Sequence, residues 1–314
     1  MKHIFILNPA AGKGEALKIR DNIFKIAEEL DITTDFEIYE TKKVDDALTF
    51  VRKTCENNPS KEILRFYSCG GDGTLNEIVN GVFGFPNAEV AAFPTGTGND
   101  FIRNFENADF ESVRAQVSGR SVPADIIYYE YIKEGNKISG YGINMFNIGF
   151  DADVVNATDK YKKIRFFKGH LAYFMGIIQT LFRMKGINVR IYVDEKPVYQ
   201  GNLLLIALAN GSYCGGGIKG VPTAKIDDGL IDISFIKRVS RHTFIKLFPK
   251  YKKGEHIFDE EACKIVEIRQ CQKVKVLSEA GPMNISIDGE MMSCDNISFE
   301  AVSHGIKFVI PESV

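Results

Sequence analysis

Residues 66–81, F-Y-S-C-G-G-D-G-T-L-N-E-I-V-N-G, decide how the rest of the chain is read. The apolar run at 63–67 predicts a buried strand, and Gly70, Gly71 and Gly73 form a turn that most side chains would block. A helix is expected from about Thr74, with Leu75, Ile78 and Val79 facing inward and Gly81 as its stop. Three glycines in four residues let backbone N–H groups approach an anion, and a helix N-terminus adds favourable partial charge. Asp72 is the unusual member. A carboxylate in a phosphate cradle repels its ligand unless a metal ion or a transferred proton compensates, so it points to catalysis rather than passive binding. A plain glycine-rich turn with a solvated aspartate would use the same letters, but Asn76, Glu77 and Asn80 add three polar groups to the same helix start.

Upstream, residues 3–8 form a first strand that ends at Asn8, at the edge where open α/β sheets bind ligands. The loop Pro9-Ala10-Ala11-Gly12-Lys13-Gly14 follows, then an amphipathic helix carrying Ala16, Ile19, Ile23, Ile26, Ala27 and Leu30. This loop lacks G-x-x-x-x-G-K-[ST], so it is no Walker motif. Strands at 35–40, 62–68 and 90–93 alternate with helices, which implies a parallel sheet covered on both faces. Each strand runs into a polar or glycine-rich loop (8–14, 41–43, 70–74 and 94–100), and the four loops share one sheet edge. In the last, F-P-T-G-T-G-N-D-F, Thr97 and Asn99 are read as lining a nucleotide pocket in preference to capping, whereas Asp100 would serve equally to cap the short helix that follows.

From about residue 122 the pattern changes. Strands are expected at 124–131, 140–148, 189–193, 203–209, 231–236, 264–269, 273–277, 284–287 and 297–302, and runs of strands without helices suggest an antiparallel sandwich. One long helix, about 154–184, interrupts them. Its apolar face holds Tyr161, Ile164, Phe167, Leu171, Phe174, Ile178, Leu181 and Phe182. Beside it lie Lys160, Lys162, Lys163, Arg165, Lys168, Arg183 and Lys185, a pattern that suits either a core helix with solvated lysines or a membrane-surface helix. Two acidic constellations follow. A-K-I-D-D-G-L (224–230) offers hard oxygen ligands, though a tight D-G turn into the next strand is the preferred reading of these residues alone. I-S-I-D-G-E (285–290) sets Asp288 and Glu290 at a strand end, where D-G is also a common hairpin turn.

Composition narrows the function classes. Lys plus Arg total 39 and Asp plus Glu 41, a net charge of -2, so no global field draws the chain to nucleic acid or to an anionic membrane. The six cysteines are scattered without C-x-x-C spacing, which argues against a zinc site and a disulfide framework. The N-terminus runs straight into a strand and no stretch is long enough to span a bilayer, so a cytoplasmic protein, at most peripheral to the membrane, is expected.

Taken together, N-P-A-A-G-K-G (8–14), G-G-D-G-T-L-N-E-I-V-N-G (70–81) and P-T-G-T-G-N-D-F (94–101) resemble the diacylglycerol/sphingosine kinase catalytic domain family, in its soluble bacterial lipid kinase branch. The resemblance implies an N-terminal three-layer αβα domain over 1–123, like that of NAD kinases and phosphofructokinases. A C-terminal antiparallel β-sandwich would follow over 124–304, with the tail 305–314 packing back and the active site in the cleft. It implies ATP as donor, held by Asn8, Pro9, Ala10, Gly12, Lys13, Gly14, Thr41, Gly70, Gly71, Asp72, Gly73, Thr74, Asn76, Glu77, Thr97 and Asn99. It implies a structural Mg2+ at Asp228 with the carbonyls of Lys225 and Leu230. In the D-G-E corner Glu290 would accept the proton of a lipid hydroxyl, with Asp288 orienting it or linked through water to the metal. Asp72 would hold catalytic Mg2+ or act near the γ-phosphate. The expected function is transfer of the γ-phosphoryl group of ATP to a lipid alcohol at a membrane surface, diacylglycerol or a sphingoid or ceramide-type lipid, by a homodimer. The alternatives are an NAD kinase-like enzyme and an inactive nucleotide- or lipid-binding module.

Overall fold

The first apolar run becomes strand β1, Lys2–Leu7, with all but its first residue buried. The computed structural model describes residues 1–33, 35–58, 62–162 and 170–312. The chain divides into two units, Met1–Ile126 with Ser303–Val314, and Ile127–Val302. In the first unit β1 is followed by α1 (Glu15–Glu29), β2 (Phe36–Glu40), α2 (Asp46–Glu56), β3 (Leu64–Gly70), α3 (Asp72–Val82), β4 (Ala88–Pro94) and α4 (Val113–Ser118). The strands stand in the order β4-β3-β1-β2, all parallel, so their C-terminal loops share one edge. Every residue of β3 is buried, which a parallel strand covered on both faces requires. Even Arg65 lies inside, paired with Glu89 at 2.8 Å and donating to the carbonyls of Gln116 and Val117. Phe5 stacks on Tyr67 with ring centroids 4.2 Å apart, and Phe93 tilts against both.

Helix α3 departs from expectation at both ends. It begins at Asp72, two residues before the expected Thr74, and Gly81 lies inside it rather than stopping it. A Cβ at Gly81 would stand 2.7 Å from Val51 Cγ1, so this glycine lets α3 press against α2.

Strand β5 (Arg120–Lys133) carries the chain out of the first unit. The second unit holds β6 (Asn136–Gly142), β7 (Met145–Gly149), α5 (Phe150–Lys162), α6 (His170–Arg183), β8 (Ile187–Val193), β9 (Lys196–Ala209) and β10 (Ile231–Lys237). There follow α7 (Arg241–Lys253), β11 (Val266–Cys271), β12 (Lys273–Ser278), β13 (Met283–Ile287), β14 (Glu290–Cys294) and β15 (Asn296–Ile310). All pairings from β6 through β14 are antiparallel. Strand β9 feeds two cores. Leu203, Ile206 and Leu208 join Phe146, Phe235 and Phe299, while Leu205, Ala207 and Ala209 join Phe150, Val154 and Tyr251. The far end of β15 belongs to the first unit, where Phe308 lies opposite Val90 of β4 in parallel register.

Two expectations need correction here, and two elements were not foreseen. The single helix over 154–184 is two helices, α5 and α6, packed on each other. A Cβ at Gly176 would fall 2.4 Å from Thr158 Oγ1, so glycine sets that close approach. Of its expected residues, Lys163, Ile164, Arg165, Phe167 and Lys168 lie outside the described residues, as do the side chains of Lys162, Leu171 and Phe174. Leu181 packs on the core and Phe182 turns outward. The strand over 140–148 is broken at Ile143-Asn144 into β6 and β7, for a reason given below. Finally, α7 and β14 carry no expectation from the sequence; the first is hidden by Pro249 inside the helix, the second by its short, mixed run.

Candidate active site

Two loops at the carboxyl edge of the first unit's sheet are tied together by Asp72. Its Oδ2 accepts from the backbone N–H of Asn99 at 2.9 Å and its Oδ1 from that of Asp100 at 2.9 Å. The approach depends on missing side chains. A Cβ at Gly96 would lie 2.4 Å from Gly71 Cα, and one at Gly98 2.4 Å from Asp72 Oδ2. The loop 95–100 also holds itself. Asn99, at φ 52°, accepts from Gly96 N and donates to Gly96 O, and Thr95 Oγ1 donates to Gly70 O.

The first loop joins the same knot. Asn8 Nδ2 donates to Thr74 Oγ1 at 2.9 Å while its Oδ1 accepts from Ala10 N. Gly70 makes room for that hydroxyl, since a Cβ there would stand 2.3 Å from Thr74 Oγ1. Gly12 and Gly14 adopt φ of 53° and 93°, the left-handed region glycine favours. The side chain of Lys13 lies outside the described residues. Gly71 is the N-cap of α3 and offers no side-chain bond, so the first-turn N–H groups of this helix depend on partners from beyond its own ladder.

Other expected nucleotide residues are placed differently. The carboxylate of Glu77 accepts from Asp45 N at 3.1 Å and Ala47 N at 3.0 Å, capping the start of α2 from outside; burial pushes its pKa up. Asn76 meets Asn80 within α3. Thr41 N donates to Leu7 O at the strand end. Thr97 and Ala10 are exposed, and Pro9 is half-buried.

In the second unit the D-G-E corner splits into two roles. Asp288 and Gly289 form the two-residue turn between β13 and β14, at φ of 46° and 94°. The Asp288 carboxylate turns inward and accepts from the backbone N–H groups of Ile143 (2.9 Å), Asn144 (3.1 Å) and Met145 (2.9 Å). Those bonds take up the donors of the break between β6 and β7, which is why the expected strand is interrupted. Glu290, two residues on, is exposed at the start of β14. Asp288 thus holds backbone, while Glu290 is exposed.

Asp228 sits in the expected D-G turn, with Oδ1 accepting from Leu230 N at 3.1 Å and Gly229 at φ 75°. Its Oδ2 and that of Asp232 both accept from Gln270 Nε2. Asp232, buried and bonded to Thr223 Oγ1, drew no attention in the sequence because it lies in a strand. No group of three or more His, Cys, Asp or Glu side chains is arranged to hold a metal among the described residues. A cation at Asp228 would rely on one carboxylate and on carbonyl oxygens, a hard donor set that suits Mg2+.

One further cluster was missed. The inner face of α7, with Phe244, Leu247, Phe248 and Tyr251, closes a mainly apolar cavity of about 40 Å³ that Asp151, Thr243 and His256 also line. Tyr251 Oη lies 3.5 Å from Asp151 Oδ2, and neither ring nitrogen of His256 meets a partner among the described residues. Burial lifts Asp151 to about 6 and lowers His256 to about 4. The available signal was G-F-D-A-D after a strand, two carboxylates in the first turn of a helix.

A parallel α/β unit with a glycine turn at its sheet edge, joined to an antiparallel unit, is a fold shared by diacylglycerol kinases and NAD kinases. Residues 2–129 match the diacylglycerol kinase catalytic domain, and residues 144–309 match the YegS C-terminal NAD kinase beta sandwich-like domain. The chain belongs to this family. It is 28% identical over 312 residues, 98% of this chain and 95% of the relative, to a diacylglycerol kinase of Staphylococcus carnosus (strain TM300). The fold is similar to the crystal structure of a diacylglycerol kinase from Bacillus anthracis str. Sterne, with a TM-score of 0.68 at 22% identity, covering 100% of this chain and 98% of that one. It is more distantly similar to yeast NADH kinase complexed with NADH, with a TM-score of 0.54 at 14% identity, covering 100% of this chain and 84% of that one.

Proposed function

We propose that the chain is an ATP- and Mg2+-dependent kinase that transfers the γ-phosphoryl group to the hydroxyl of a lipid alcohol, diacylglycerol or a sphingoid or ceramide-type lipid. The observation that carries this reading is the glycine-lined start of α3. Contacts at Gly70, Gly96 and Gly98 leave no space for side chains there, while the first-turn N–H groups and the helix dipole favour an anion. The two N–H bonds to Asp72 offset part of its negative charge, which lowers the repulsion a triphosphate would meet. Asn8 and the 8–14 loop would then contact the nucleotide beyond the phosphates.

Phosphoryl transfer asks a protein chiefly for positioning and charge neutralisation. Mg2+ supplies the latter when bound to the phosphates. Glu290 is exposed and free of the backbone bonds that engage Asp288, which favours it as the acceptor of the lipid hydroxyl's proton. The Asp228 turn would bind a second, structural Mg2+ through the carbonyls of Lys225 and Leu230. The relative from Staphylococcus carnosus bears the name of a kinase of this kind.

The test is incubation of the full chain with ATP, Mg2+ and a mixed lipid extract, with mass spectrometry of the lipids and a parallel arm containing NAD. Phosphorylated lipid with unchanged NAD is the expected outcome. Product in the NAD arm alone, or no ATP consumption in either, would overturn the proposal.

A further inference from the structure

Between Lys237 and Lys253 the chain carries seven Lys or Arg and no Asp or Glu, in a protein whose net charge is -2. This run spans the end of β10 and the whole of α7. The acidic segment that follows takes only part of it: Lys246 pairs with Glu261, Lys250 with Asp259 and Lys253 with Glu255. Lys237, Arg238, Arg241 and Lys252 keep no carboxylate partner among the described residues. The inward face of α7 closes the apolar cavity described above, and its outward face exposes Ile245 and Pro249 among these cations.

Apolar side chains stand in the middle of the basic face. Arg241 donates to the carbonyls of Leu181 and Phe182 at 3.0 and 2.6 Å, which fastens the end of α6 to the start of α7. Phe182 is 73% exposed there, and Ile245, one helical turn beyond Arg241, is 60% exposed. A polyanion with a hydrophilic surface would gain nothing from exposed Phe and Ile. A bilayer with anionic headgroups offers both a negative surface and an apolar layer a few ångströms beneath it.

We infer that the outer face of α7, with Phe182 beside it, is a docking surface for an anionic lipid bilayer: Phe182 and Ile245 enter the headgroup–acyl boundary while Lys237, Arg238, Arg241 and Lys252 meet the headgroups. This goes beyond the proposed activity. Its test contains neither ATP nor acceptor, so it fails or succeeds apart from the kinase reading.

The chain has no tryptophan, so Phe182→Trp creates a lone reporter. Vesicles of phosphatidylcholine with 30 mol% phosphatidylglycerol, roughly the anionic content at which such helices bind, should sediment the full protein, and pure phosphatidylcholine vesicles should not. On binding, Phe182→Trp emission should shift to the blue and be quenched by brominated acyl chains. A control indole at Ile132→Trp, a position 63% exposed on β5, should show neither effect. Lys237→Glu with Lys252→Glu, and separately Phe182→Ser with Ile245→Ser, should each weaken vesicle binding at least about tenfold with the circular dichroism spectrum unchanged. Absence of wild-type binding, equal binding by both double variants, or a bound Phe182→Trp protein with unshifted emission would each overturn the inference. So would binding to duplex DNA in place of vesicles.

Discussion

At the scale of single residues, two carboxylates that look alike in sequence do different work. Asp72 is held by two backbone N–H groups, so Asp72→Asn replaces an acceptor by a donor opposite one of them. It should lower kcat/KM for ATP at least about a hundredfold and also lower unfolding free energy by about 1–3 kcal/mol. Glu290 is exposed, so Glu290→Gln should lower kcat by at least about a hundredfold and leave the melting temperature within about a degree. Steady-state kinetics beside thermal unfolding separates the two; near-normal turnover by either variant would remove its assigned role. The buried ionisable groups have their own signature. His256 is held low, at about 4, so its contribution to stability is complete above pH 6.5 and is lost as pH falls toward 4. Asp151 is held high, at about 6, so it acts the other way: stability falls as pH rises from 4 to 6. The two oppose each other across that window, each worth about 3 kcal/mol at most. Asp151→Asn should therefore make acid destabilisation steeper between pH 6.5 and 4.5, read by urea titration at several pH values. An unchanged slope would refute this account.

At the scale of elements, the carboxyl edge of the first unit's sheet gathers loops that only small residues allow to meet. Gly96→Ala would drive a Cβ to 2.4 Å from backbone at Gly71, a clash no rotamer relieves. It should raise the KM for ATP at least about tenfold while the second unit's stability is unaffected, since a displaced cradle loses positioning. Isothermal titration with a non-hydrolysable ATP analogue would check it. The glycine turn, the 8–14 loop and the 94–101 loop were legible in the sequence because each is local: a strand end, a turn and a helix start within a dozen residues. Helix α7 was not legible, although Phe244, Leu247, Phe248 and Tyr251 follow helical spacing, because Pro249 and the dense lysines mask the period. The break between β6 and β7 was invisible too. Its cause, Asp288, lies more than 140 residues away.

At the scale of the molecule, the change from strand–helix alternation to consecutive strands announced a parallel α/β layer and an antiparallel sandwich before any coordinate. That distinction is one of period and connection length, which neighbouring residues express by themselves. Lipid kinase family membership was legible at the same scale, through three short motifs in order. The sequence by itself thus determined the two architectures, the edge of the sheet where the polar and glycine-rich loops gather, and the glycine turn at its centre. Tertiary structure alone decided that Asp72 clamps a second loop, that Glu77 caps a neighbouring helix, that Asp288 holds backbone while Glu290 stays exposed, and that a basic helix roofs an apolar cavity. The reason is physical: period and turn chemistry act between near neighbours, whereas the role of a carboxylate is set by whichever N–H groups the fold brings against it from distant parts of the chain.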